Sequence, residues 1–120
     1  MPENWNDEQP IYRQLRDRVS GLIMDGTFSE GEAVPSVRTV AAEQQINHLT
    51  VAKAYQELVD IGVLEMKRGR GMFVLSGARQ TLFDLERQKF EVNEVPAIVA
   101  RLEMLGISID QFISLLKAAK

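Results

Sequence analysis

Residues 35–58 read PSVRTVAAEQQINHLTVAKAYQEL. Ser36, just after a proline, suits the N-cap of a short helix over roughly 37–44, with Val37, Val40 and Ala41 facing inward. Gln45 and Ile46 read as a turn, and Asn47 offers a second N-cap. From His48 to Ile61, Val51, Ala54, Tyr55, Leu58 and Val59 recur at helical steps, and Gly62 closes the run. Two helices joined by so short a turn make a helix-turn-helix.

Upstream, PIYRQLRDRVSGLIMDG (residues 10–26) opens with a proline suited to a first helical turn and closes on a glycine. Ile11, Leu15, Val19 and Leu22/Ile23 form a single apolar stripe. Residues 27–35, rich in glycine, proline and small polar residues, read as a loop. Downstream, Val63–Lys67 alternates with the period of a strand, and Met72–Leu75 reads as a return strand. Between them KRGRG sets glycines where a tight reversal needs them. The order helix, helix, turn, helix, hairpin predicts a winged helix over residues 10–76, in a mainly α chain with one small β-hairpin.

The 120 residues carry no cysteine and one histidine, which rules out disulfides and thiolate metal sites and argues against a metal sensor or any cofactor. Nothing resembles a signal peptide, and no apolar run approaches the roughly 20 residues that cross a bilayer, so the expectation is a cytoplasmic protein with no membrane partner. The net charge of −3 is misleading about nucleic acid. Glu3, Asp7 and Glu8, in an acidic arm over residues 1–9, account for it; residues 10–76 and 77–120 are each neutral. What matters is where cations cluster. His48 has no Ser, Cys or Asp arrangement around it, and no phosphate-binding loop is present, so an enzyme is not expected.

Taken in order, PIYRQL, PSVRTVA, TVAKAYQEL and GVLEMKRGRGMFV resemble the DNA-binding domain of GntR-family bacterial transcription regulators over about residues 10–75. The TVAKAYQEL wording and the short helical tail resemble the YtrA subfamily, in which a small dimerisation appendage replaces a large effector-binding domain. The resemblance implies double-stranded DNA as partner, and it makes Arg38 of the PSxR motif a DNA contact. Because YtrA-like genes often neighbour ABC transporter genes, it also implies transporter genes as targets. Residues 46–50, INHLT, depart from the Asn-Pro-Asn-Thr or Ser-Arg-Thr-Thr type of segment in YtrA-like sequences, which bears on the operator sequence rather than on the binding mode.

The candidate DNA-binding residues fall into three groups. Ser36 and Arg38 open the first helix of the pair; Ser36 caps and can also meet a phosphate, while Arg38 has pairing with Glu43 as its ordinary alternative. Asn47, His48, Leu49 and Thr50 stand at the end of the recognition helix that meets the major groove, where Asn pairs with adenine and Thr or Leu touches a thymine methyl. Asn47 could equally serve only as a cap, and His48 as a solvated side chain. Lys53 shares a face with Thr50 and has an i,i+4 pair with Glu57 as its alternative. Tyr55 reads as core. Lys67, Arg68, Gly69 and Arg70 form the wing tip, where cations reach phosphate or the minor groove and glycine lets the backbone turn.

Residues 77–120 contain three further helical patterns: Arg79–Phe90, a helix capped by Asn93 and ended by Gly106, and one opened by the capping box Ser108–Gln111. Their apolar residues Leu82, Leu85, Phe90, Ile98, Val99, Leu102, Leu105, Phe112, Ile113 and Leu116 are too many for a 44-residue tail to enclose. The tail also looks too small to wall off a pocket of the usual ~300–1,000 Å³. A homodimer interface is expected there, on a dimeric repressor reading a palindromic operator. The alternatives are a winged-helix module for protein–protein interaction and a repressor gated by a small ligand between two tails, the effector being unknown.

Overall fold

The computed structural model describes residues 5–120, so Glu3 of the acidic arm lies outside the described residues. The chain divides into two compact units, residues 1–83 and 84–120.

The first unit holds helices α1 (Ile11–Met24), α2 (Val37–Gln44) and α3 (His48–Asp60), strands β1 (Leu64–Lys67) and β2 (Gly71–Val74), and the start of α4 (Ala78–Lys89). This is the winged helix that the sequence predicts. Both predicted caps form: Ser36 Oγ accepts the Thr39 amide at 3.1 Å, and Asn47 Oδ1 accepts the Leu49 amide at 2.8 Å. Between α2 and α3, Gln45 takes the left-handed conformation (φ 55°) that glycine usually fills, and the amide of Ile46 reaches back to the Ala41 carbonyl. The core joins Leu15, Val19 and Ile23 of α1 to Val51, Ala54, Tyr55 and Leu58 of α3, and closes on Val63, Leu64 and Val74.

Residues 31–34, expected as plain loop, run beside β2 and pair with it through an isolated bridge, Ala33 with Phe73. Val34 donates to the Met72 carbonyl, Gly31 to that of Val74, and the Val74 amide donates to Glu32. The described residues of the arm, 5–9, are tied to α1. Trp5 packs against the core with the Arg18 guanidinium 3.9 Å over its ring, and Gln14 bonds to the backbone of Asn6 and Gln9.

Glu30, to which the sequence gives no role, caps α4. Its carboxylate accepts the amides of Gly77 (2.8 Å) and Arg79 (3.2 Å), placing negative charge at a helix N-terminus. Those hydrogen bonds, aided by the Arg79 charge, hold its pKa below the ordinary 4.5. A depressed carboxylate pKa stabilises the fold above the unfolded-state pKa, and that contribution fades as pH falls through the folded-state value. Glu30→Gln should therefore lower Tm at pH 7, and the gap to the parent should narrow progressively as pH falls below the ordinary 4.5; a gap that does not change with pH in acid would assign the effect to shape rather than charge.

In the second unit the helical backbone runs from α4 through one π-helical turn (Phe90–Glu94) into α5 (Val95–Leu105), followed by α6 (Ile109–Ala119). The expected cap at Asn93 is corrected: Asn93 lies inside the π turn, so no break separates the first two of the three predicted tail helices. The Gly106 stop (φ 68°) and the reciprocal capping box of Ser108 and Gln111 form as read. The expected domain boundary after residue 76 also moves. Ala78 and Leu82 belong to the core of the first unit, because α4 begins by packing there. Leu82, expected on a dimer surface, is 2 % exposed in that core and offers no face to a partner. Leu102 is buried as well, within the described residues of the second unit. By contrast Phe90, Val99, Leu105, Ile113 and Leu116 stay exposed and Leu85, Ile98 and Phe112 half-buried. They are joined by Val92, Val95, Met104, Ile109 and Leu115, which the helical stripes did not single out as interface.

Candidate nucleic-acid interface

Helix α3 turns most of its apolar stripe inward, with Val59 half-buried, and this decides what its other face carries. Val51, Ala54, Tyr55 and Leu58 are buried, while His48, Leu49, Lys53 and Gln56 are exposed and Thr50 half-buried. Tyr55 does more than fill the core. Its hydroxyl donates to the Pro35 carbonyl at 2.7 Å, one residue before the cap that starts α2, and burial pushes its pKa up to about 12. The phenol therefore stays protonated and keeps this bond across the physiological range.

Lys53 does not take its i,i+4 partner. Glu57 pairs instead with Arg16 of α1 at 2.8 Å, tying α1 to α3, and Arg16 also bonds Asp17. Lys53 Nζ sits 4.1 Å over the Tyr12 ring, a contact worth about 0.5–1 kcal/mol at an exposed site, so the ammonium is lightly held and available. Neither Tyr12 nor Arg16 was a candidate, since both contacts cross between helices more than forty residues apart. Arg38 is exposed near the start of α2 and, among the described residues, has no ion-pair partner; Glu43 does not bind it. Ser36, beside it, is fully engaged, with its Oγ accepting from Thr39 N and donating to Thr39 Oγ1 at 2.9 Å.

The wing turn spans Lys67 to Arg70, closed by the Arg70 amide on the Lys67 carbonyl at 2.8 Å. Gly69 has φ 74°, which a side chain would strain, and it sits at the third turn position, where glycine is preferred. Lys67 opens the turn and is also the last residue of β1, opposite Gly71. Its Nζ lies 4.5 Å over the Phe73 ring and 3.8 Å from Glu65 Oε1, and Arg70 lies 5.2 Å over the same ring. Arg68 is exposed at the tip, without an ion pair among the described residues. Met66 also faces out, at 65 % exposure, so the apolar alternation of β1 ends before its tip.

These features sit on a chain whose residues 11–74 match the family described as bacterial regulatory proteins, gntR family. The chain belongs to the GntR family. It is 39 % identical over 75 residues to the HTH-type transcriptional repressor YtrA of Bacillus subtilis, a match covering 62 % of this chain and 58 % of YtrA. Among solved structures, a GntR-family transcriptional regulator from Bacteroides thetaiotaomicron superposes with a TM-score of 0.78 at 35 % identity, over 91 % of this chain and 95 % of that one. The DNA-binding domain of AraR in complex with an operator matches 62 % of this chain and 89 % of its own, with a TM-score of 0.55 and 26 % identity. As a family member the chain is a DNA-binding transcriptional regulator and not an enzyme. Among the described residues no helix is long and apolar enough to cross a membrane.

Proposed function

We propose that this chain is a homodimeric repressor that sets two copies of α3 into successive major grooves of a palindromic operator. Half-sites would lie about 34–36 Å apart, with the wings on flanking backbone. The observation that carries this reading is the division of α3: one side buries Val51, Ala54, Tyr55 and Leu58, the other is lined from its N-terminus by His48, Leu49 and Lys53, none of them bound to an acid. Arg38, Arg68 and Arg70 add exposed cations on α2 and the wing, which a phosphate backbone rewards and a protein-binding module does not need. The dimer is supported by the exposed apolar residues of the second unit, among them Phe90, Val99, Leu105 and Ile113, which one copy leaves in water. The repressor role follows the name of the YtrA relative, and transporter genes as targets remain what the YtrA resemblance implies.

The test is a titration of operator duplex, obtained by in vitro selection, with single variants. Arg38→Ala should weaken binding by roughly 1–3 kcal/mol if it reads a base edge. Arg70→Ala should weaken binding on all sequences alike and reduce the slope of log K against log salt by about 1, the signature of a lost phosphate contact. Unchanged affinity in either variant removes that residue from the interface.

A further inference from the structure

The start of α3 sets one apolar side chain among polar ones. Asn47 at this end has its Oδ1 on the Leu49 amide, which holds its carboxamide in the cap over the helix terminus. Beside the exposed His48, the first turn of α3 also turns out an apolar side chain, Leu49, 65 % exposed and absent from the core. A lone surface leucine is ordinary. This one stands in the first turn of the recognition helix, on the same face as Lys53 one turn later. Leucine neither donates nor accepts a hydrogen bond. Placed on the edge of a purine or cytosine, it would strip water from N7, O6 or an exocyclic amine and return nothing. The only apolar group in the major groove is the C5-methyl of thymine.

We infer that Leu49 is a specificity-determining residue, selecting a thymine in each half-site by burying that base's methyl group. This rests on the proposed docking of α3. Lys53, on the same face, would hold the adjacent backbone or a guanine and set the register in which Leu49 meets the base.

The full-length chain is first used to select a duplex from a random library, and binding to the selected site is followed by fluorescence anisotropy. Each thymine of a half-site is then replaced by deoxyuridine, which removes only the methyl. One position should weaken binding about fourfold, the value of burying one methyl-sized group. Leu49→Ala should weaken binding to the thymine site and abolish the difference between thymine and uridine there. If Leu49→Ala still distinguishes the two bases as the parent does, the methyl is read by another group, such as the Thr50 methyl or Ala52, and the inference fails. It also fails if no thymine responds to the replacement. If instead the parent selects no sequence at all, the docking of α3 is wrong and Leu49 falls with it. A selected site whose affinity drops with Arg38→Ala, but not with any uridine, keeps the docking and overturns the Leu49 assignment alone.

Discussion

A chain ending at Lys89 should be a folded monomer that holds its operator far more weakly than the full chain does. The cut belongs after α4 because Ala78 and Leu82 complete the core of the first unit, and Glu30 caps α4 through the amides of Gly77 and Arg79. A cut after Leu75 would open that core and confuse unfolding with loss of a dimer. Removing residues 90–120 takes away Val99, Leu105, Ile113 and Leu116, whose exposed apolar surfaces are the proposed interface. Two linked half-site contacts exceed one by the effective concentration of the second, so affinity should fall on the order of 10²–10⁴-fold. Sedimentation equilibrium and an operator titration measure the two effects separately. A truncated chain that still sediments as a dimer places the interface in the first unit. A monomer with undiminished affinity shows that the second copy adds nothing to DNA binding.

The next largest effect is expected at Tyr55, where fold and interface meet. Its ring, on α3, is fully buried in the core, and its hydroxyl holds the Pro35 carbonyl at the threshold of α2. Tyr55→Ala removes an aromatic side chain from a packed core and should cost roughly 3–5 kcal/mol. Against a typical total of about 5–15 kcal/mol, that loss takes a large share of the stability and should lower Tm by many degrees. Tyr55→Phe keeps the ring and removes only the donor. It strands the Pro35 carbonyl and should cost about 1–3 kcal/mol. Thermal unfolding followed by circular dichroism orders the three proteins. A Phe variant as stable as the parent would mean that water satisfies the carbonyl equally well. Because Ser36 and Arg38 follow directly on that carbonyl, the Phe variant should also lose operator affinity beyond what its folded fraction explains.

Several local readings needed no tertiary information. Ser36, Asn47 and Ser108 cap the helices they stand before because each bond is closed within three residues, and local sequence is enough to specify it. The stripes of α1 and α3 follow helical periodicity, since one buried face writes itself into every third or fourth residue. The candidate interface was legible for the same reason: once α3 is placed, the outward positions are those the stripe leaves over.

The contacts that link distant segments were not legible. Glu57 has two cations in reach of a plausible pair, and only the packing of α1 on α3 brings Arg16 rather than Lys53 to it. Residues 31–34 carry no alternation of their own, and they pair because β2 has an open edge beside them. Glu30 reads as one more acid in a polar loop until the fold brings the start of α4 to it. The continuous backbone through Phe90–Glu94 ran against a good cap residue, because Asn93 caps only where the backbone has already left the helix.

The sequence alone determined the element types, their order, the capping residues and the family signature, all of which depend on neighbours within a turn or two of chain. The tertiary structure decided which charges are occupied and which are left free, and which apolar residues a single copy covers. Leu82 and Leu105 illustrate the split: both lie on helical stripes, yet one closes the core of the first unit and the other faces water. Periodicity shows that a residue has an apolar side to hide, and only the packing of segments far apart in the chain shows whether anything is there to hide it.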